Sequence, residues 1–127
     1  MATGELLEGG CHCGGVRFRV RVDDFKASEC NCSMCAMKAQ IHLIVPPERF
    51  ELLRGGDLLT TYTFNTRIAK HRFCSVCGIH PFYTPRSDPD KIDVNVRCLD
   101  GDAWKRFSRS TFDGKNWEAA LSARDAH

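Results

Sequence analysis

The stretch GGCHCGGVRFRVRV, residues 9–22, carries two signals side by side. Its second half alternates strictly, with Val16, Phe18, Val20 and Val22 on one side and Arg17, Arg19 and Arg21 on the other. Successive side chains of a strand point to opposite faces, so this is a strand with one buried and one solvated face. Its first half is Cys11-x-Cys13, two thiols on a short loop set directly before the strand. Ligand-bearing loops in the gaps of a β scaffold are the organisation this suggests.

The same organisation continues along the chain. HLIV (42–45) is a short apolar strand stopped by Pro46-Pro47. FELLRGG (50–56) and LLTTYTF (58–64) flank Gly55-Gly56-Asp57 and predict a hairpin. KIDVNVRCL (91–99) alternates, placing Ile92, Val94, Val96 and Cys98 on one face. Helical signals are few: a turn or two over SMCAMKAQ (33–40), and DGKNWEAAL (113–121) with Asp113 as N-cap. The reading is therefore mainly β, one domain over 1–127 with its core at about 5–120.

Eight cysteines among 127 residues is a high count. Seven lie in tight clusters: Cys11-x-Cys13, Cys30-x-Cys32-x-x-Cys35 and Cys74-x-x-Cys77. Disulfide frameworks space their cysteines along a chain, whereas clustered thiols chelate metal. Two short pairs make a closed four-thiolate site, and Cys11, Cys13, Cys74 and Cys77 would complete one. Cys30, Cys32 and Cys35 would then grip a second ion by three ligands and leave its fourth position open, as catalytic zinc sites do. Spacing also allows Cys11, Cys13, Cys30 and Cys32 to share one site, or a single zinc with spare thiols. Cys98, in phase with the apolar face of its strand, reads as a small core residue.

Composition excludes several functions. Hydrophobic content is 43% and charged content 27%, ordinary for a globular domain. A formal net charge of +2 is too small for nucleic-acid binding through bulk charge. No apolar run is long enough to span a bilayer, and MATGELLEGG has no secretory pattern, so a reducing, cytoplasmic location is expected.

GGCHCGGVRF (9–18), ECNCSMC (29–35) and HRFCSVCGIHPFYTP (71–85), in that order, resemble the glutathione-dependent formaldehyde-activating enzyme family, to which centromere protein V of animals belongs. TYTFNT (61–66) and YTPRS (83–87) resemble the centromere protein V branch in particular. The resemblance implies a mainly β, Mss4-like fold stapled by zinc. It implies two Zn2+ ions per chain, with Cys11, Cys13, Cys74 and Cys77 as structural ligands and Cys30, Cys32 and Cys35 on the second, catalytic ion. It also implies addition of glutathione to formaldehyde, a carbon–sulfur lyase reaction in reverse, with a small thiol and an aldehyde as partners.

Glutathione has two carboxylates and an ammonium, so Arg67, Lys70, Arg72, Arg86 and Arg97 are candidate contacts near the motifs. His71, three positions before Cys74, is close enough to hydrogen-bond a metal ligand or move a proton, with an ordinary structural hydrogen bond the preferred reading. His12, between two ligands, is expected to point away from the metal, and Phe73, Pro81 and Phe82 to pack beneath the Cys74–Cys77 loop. Formaldehyde adds to thiols readily unaided, so a carrier of the thiol, or a zinc-stapled binding module, is the alternative to a catalyst.

Overall fold

The computed structural model describes residues 4–30, 33–38, 40–63 and 67–112, with 116, 118, 119 and 121 beyond them. The strands are β1 (Glu5–Gly10), β2 (Arg17–Val22), β3 (Lys26–Cys30), β4 (Ile41–Val45) and β5 (Phe50–Arg54), then β6 (Leu59–Tyr62), β7 (Lys70–Cys74), β8 (Phe82–Thr84), β9 (Ile92–Asn95) and β10 (Ser108–Phe112). The helix α1 (Ser33–Lys38) follows β3. Two sheets result, one of three strands in the order β1-β2-β5 and one of seven in the order β10-β3-β4-β9-β8-β7-β6. The fold is mainly β, as the alternation predicts.

Val16, Phe18, Val20 and Val22 are all buried, and Arg17, Arg19 and Arg21 face outward. The buried side of β2 meets Ile41, Leu43 and Val45 of β4, Phe82 of β8 and Val94 of β9 in one core. Phe18 stacks on Phe50 at 5.4 Å between centroids and meets Phe82 edge-on at 6.1 Å, so one ring ties the two sheets together.

Residues 50–64 do not form the expected hairpin. β5 pairs with β2 in the small sheet, and β6 pairs with β7 in the large one. Gly55 takes φ 87° and a 3-10 turn over Gly56–Leu58 follows, which carries the chain from one sheet to the other. A Cβ on Gly55 would lie 2.2 Å from the Gly15 carbonyl oxygen, so glycine is required there for space as well as for φ. The expected helix over 113–121 lies largely outside the described residues.

Arg17 donates to Asp100 through both terminal nitrogens, one at 2.9 Å, joining β2 to the turn after β9. The Arg17 hydrogen bond, opposed by burial and helped by its charge, holds the Asp100 carboxyl below the ordinary carboxylate range. A depressed folded value adds stability above the unfolded pKa, which is lost as pH falls through the folded value. Asp100→Asn should therefore cost about 0.5–1 kcal/mol near neutrality, screened because the pair is exposed, and almost nothing near pH 2. Urea midpoints of both proteins across that range check the convergence.

Candidate metal centre

Cys11 and Cys13 open the loop between β1 and β2, and Cys74 ends β7. The strands bring these thiols together across 61 residues of sequence. The ligand atoms of Cys11, Cys13, Cys74 and Cys77 all lie within 4.8 Å of one another. Cys11 and Cys13 sulfurs are 3.5 Å apart, and Cys13 and Cys74 sulfurs 3.7 Å. Both loops curl around their thiols: Val16 N–H donates to Cys11 Sγ at 3.3 Å, and Val76 N–H to Cys74 Sγ at 3.4 Å. Gly78, with φ 80°, closes the second loop by donating from its N–H to the Cys74 carbonyl.

The thiols influence one another's protons. Burial opposes ionisation of Cys77, but the N–H groups of Ile79 and Cys13 and the neighbouring thiols bring it down to about 6. At Cys13 the Gly15 N–H favours the thiolate, yet Cys11, burial and the other two thiols push it up to about 11. A divalent cation would relieve this conflict by favouring the thiolate at every position. The four residues are therefore able to hold a metal ion.

Cys98 stands beside this cluster without joining it. β9 ends at Asn95, and Cys98 lies in the 3-10 turn Val96–Cys98 rather than on the expected strand face. It is half-buried against the core and donates S–H to the His80 carbonyl at 3.6 Å. Burial, then the Cys11 and Cys77 charges, push its thiol up to about 12, so it stays protonated.

Cys30 ends β3 and Cys35 lies on α1, directly after it. Cys32 and the Cys35 side chain fall outside the described residues, so this grouping keeps the status of an expectation. His71 does not face Cys74. Three residues apart on one strand, the two point to opposite faces of the sheet. His71 is buried, lies 3.1 Å through Nδ1 from Lys38 Nζ, and stacks on Tyr83 with centroids 4.8 Å apart.

The remaining expectations divide. His12, between two of the thiols, is exposed. Pro81 and Phe82 are buried, while Phe73 lies against the His80 ring. Among the candidate cations, Arg72 donates to Thr84 Oγ1 at 2.7 Å, Arg97 lies over the Trp104 ring, and Arg67 and Lys70 are exposed. Arg86 is half-buried. None of the five lines the cleft of about 370 Å³ beside α1, whose walls include Met34, Met37, Lys38, Ile79, His80 and Asn95. Lys38 was missing from the sequence-based set because it belongs to no motif; its place at the end of α1, three residues after Cys35, was the available signal.

The sequence profile of the glutathione-dependent formaldehyde-activating enzyme family matches residues 6–113. The chain belongs to this family. A curated relative from Halomonas elongata, named for the same glutathione-dependent formaldehyde-activating activity, is 28% identical over 107 residues, covering 76% of this chain and 68% of that protein. The crystal structure of a Rhodobacter sphaeroides protein, a structural-genomics target, superposes with a TM-score of 0.70 at 39% identity, covering 75% of this chain and 89% of that one. No helix among the described residues is long and apolar enough to cross a membrane.

Proposed function

We propose that this chain is a single-domain, two-zinc protein that makes and breaks the adduct of a glutathione-like thiol with formaldehyde, S-(hydroxymethyl)glutathione or a close analogue. By class this is a carbon–sulfur lyase, working in a reducing compartment such as the cytoplasm. Cys11, Cys13, Cys74 and Cys77 hold a structural zinc in this reading. Tetrahedral zinc with sulfur at about 2.3 Å needs sulfurs about 3.8 Å apart, close to the spacings of 3.5 and 3.7 Å found here.

The observation that carries the proposal is that these four thiols suffice for a closed site. Cys30, Cys32 and Cys35 are then left as a three-ligand set at the junction of β3 and α1. When bound there, a second zinc with an exchangeable position would favour the thiolate form of an incoming thiol. The cleft beside α1 offers Lys38 and Asn95 as polar contacts for a peptide-like thiol. With a net charge of +2, nucleic acid is a poor partner.

Two-dimensional exchange NMR of formaldehyde with glutathione tests the reading. The zinc-loaded protein should raise the exchange rate in proportion to its concentration, and Cys32→Ser should return it to background while keeping one zinc per chain. An exchange rate indifferent to wild-type protein would leave a carrier or a purely structural domain.

A further inference from the structure

The seven-stranded sheet has two unlike faces. One carries Leu43, Val45, Phe82 and Val94 into the core. On the other, cross-strand register aligns Ser28 with His42, His42 with Asn95, Asp93 with Tyr83, and Tyr83 with His71. Cys30, two residues beyond Ser28 at the end of β3, shares the Ser28 face by strand alternation. This second face is polar, yet Gln40, His42, His71 and Asp93 are 3%, 4%, 3% and 1% exposed. Burying so many polar groups is costly unless each is paired.

Asp93 organises the centre of the group. Its Oδ2 lies 2.7 Å from His42 Nδ1, and its Oδ1 accepts from Gln40 Nε2 at 3.4 Å. An acceptor against Nδ1 places a proton there, so the neutral imidazole presents Nε2 as an acceptor. A carboxylate oxygen against the Gln40 amide fixes that side chain with its nitrogen toward Asp93 and Oε1 turned away, since the reverse would oppose two acceptors. The consequence is two buried acceptor atoms, His42 Nε2 and Gln40 Oε1, neither with a hydrogen-bond partner among the described residues. Both are hung from one carboxylate, on the sheet face that carries Cys30. The groups facing His42 are Ser28 from β3, Asp93 and Asn95 from β9, Tyr83 from β8 at 3.4 Å, and beyond it His71 from β7 with Lys38 from α1. Asn95, the cross-strand partner of His42, also lines the cleft beside α1, so the buried group adjoins a route from solvent.

Two neighbouring acceptors suit a donor, and the thiol–formaldehyde adduct has one, its hydroxyl. We propose that Gln40 Oε1 and His42 Nε2 form the subsite for that hydroxyl, with His42 taking and returning its proton. The assignment rests on the function proposed above. In breakdown, the carbon–sulfur bond breaks and its electron pair stays on sulfur as thiolate. The O–H pair becomes the second carbon–oxygen bond of formaldehyde, and the proton passes to His42 Nε2. In synthesis, His42 takes the thiol proton, sulfur attacks the aldehyde carbon, the carbonyl π pair moves to oxygen, and His42 delivers the proton there. Asp93 is a positioning residue, since it touches His42 and Gln40 and no reacting atom.

The test uses the full zinc-loaded chain. Nitrogen-15 NMR of the imidazoles should show His42 protonated at Nδ1 and bare at Nε2, and its Nε2 resonance should shift when glutathione and formaldehyde are added together. Asp93→Asn should mix the two tautomers. His42→Gln should lower the protein's acceleration of exchange at least about tenfold, with zinc content unchanged. An Nε2–H tautomer in the wild type, or a His42→Gln variant with the wild-type rate, overturns the assignment while leaving the catalytic reading intact. Loss of a nitrogen-ligand signature from the cobalt-substituted protein on His42→Gln overturns it too, by making His42 a metal ligand. A wild-type protein without any acceleration removes the catalytic reading and this subsite together.

Discussion

Cys74→Ser, or removal of metal by a strong chelator, is expected to unfold the protein rather than loosen one loop. Cys74 is fully buried at the end of β7, and its cluster joins the loop before β2, in the three-stranded sheet, to the Cys74–Cys77 loop that follows β7 of the seven-stranded sheet. Structural zinc binds with an apparent free energy of about 10–16 kcal/mol near neutral pH, while whole domains are stable by about 5–15 kcal/mol. Losing the ion therefore removes as much free energy as the folded state has in hand. The substitution also leaves three thiols that repel one another once ionised. Circular dichroism with metal analysis reads the outcome: loss of sheet signal with loss of about one zinc. Cys98→Ala is the control, expected to keep both the metal and the sheet, because Cys98 holds its proton on a carbonyl. A Cys74→Ser protein that melts cooperatively near the wild-type midpoint would show that the cluster is not what holds the sheets.

Phe18→Ala should have the second largest effect on stability, about 3–5 kcal/mol. Phe18 is completely buried, stacked on Phe50 and set edge-on to Phe82, so its ring contacts both sheets. Truncation leaves a cavity whose walls are strands, which relax little because their backbones are hydrogen-bonded on both sides. The urea midpoint should fall with no change in slope, since the surface exposed on unfolding stays nearly the same. A loss below about 1 kcal/mol would mean that the sheets close over the gap.

The parts of this protein legible in its sequence are those set by short-range spacing. Paired cysteines two and three residues apart announce a chelating loop, and VRFRVRV announces a half-buried strand, because both patterns are complete within a few residues. The segment 50–64 misleads for the same reason. Two apolar runs around Gly-Gly-Asp look like a hairpin locally, and only the pairing of β5 with β2 and β6 with β7 shows the turn to be a crossing between sheets. β10, SRSTF, has no apolar rhythm, and its place comes from parallel pairing with β3, about 80 residues earlier in the chain. The His42–Asp93–Gln40 group was hidden more deeply. In IHLIV and IDVN these side chains alternate with apolar ones, the ordinary mark of a solvated face. The sequence pattern identifies that face as polar but does not say that it is buried. His71 is near Cys74 in sequence only, since three positions along a strand lead to the opposite side of the sheet, and its contact is with Lys38.

The pairing of β10 with β3 also has a consequence for how the protein is made. On the ribosome, β3 emerges early with one of its edges free, and the strand that occupies this edge follows only after residue 107. The thiols of Cys11 and Cys13 likewise wait for more than sixty residues of synthesis before their partners exist. Until then the nascent chain has reactive sulfurs and an unpaired strand edge, both routes to wrong association. Folding of this domain is therefore limited by long-range closure, and its yield in a cell should depend on how soon metal meets the assembled thiols.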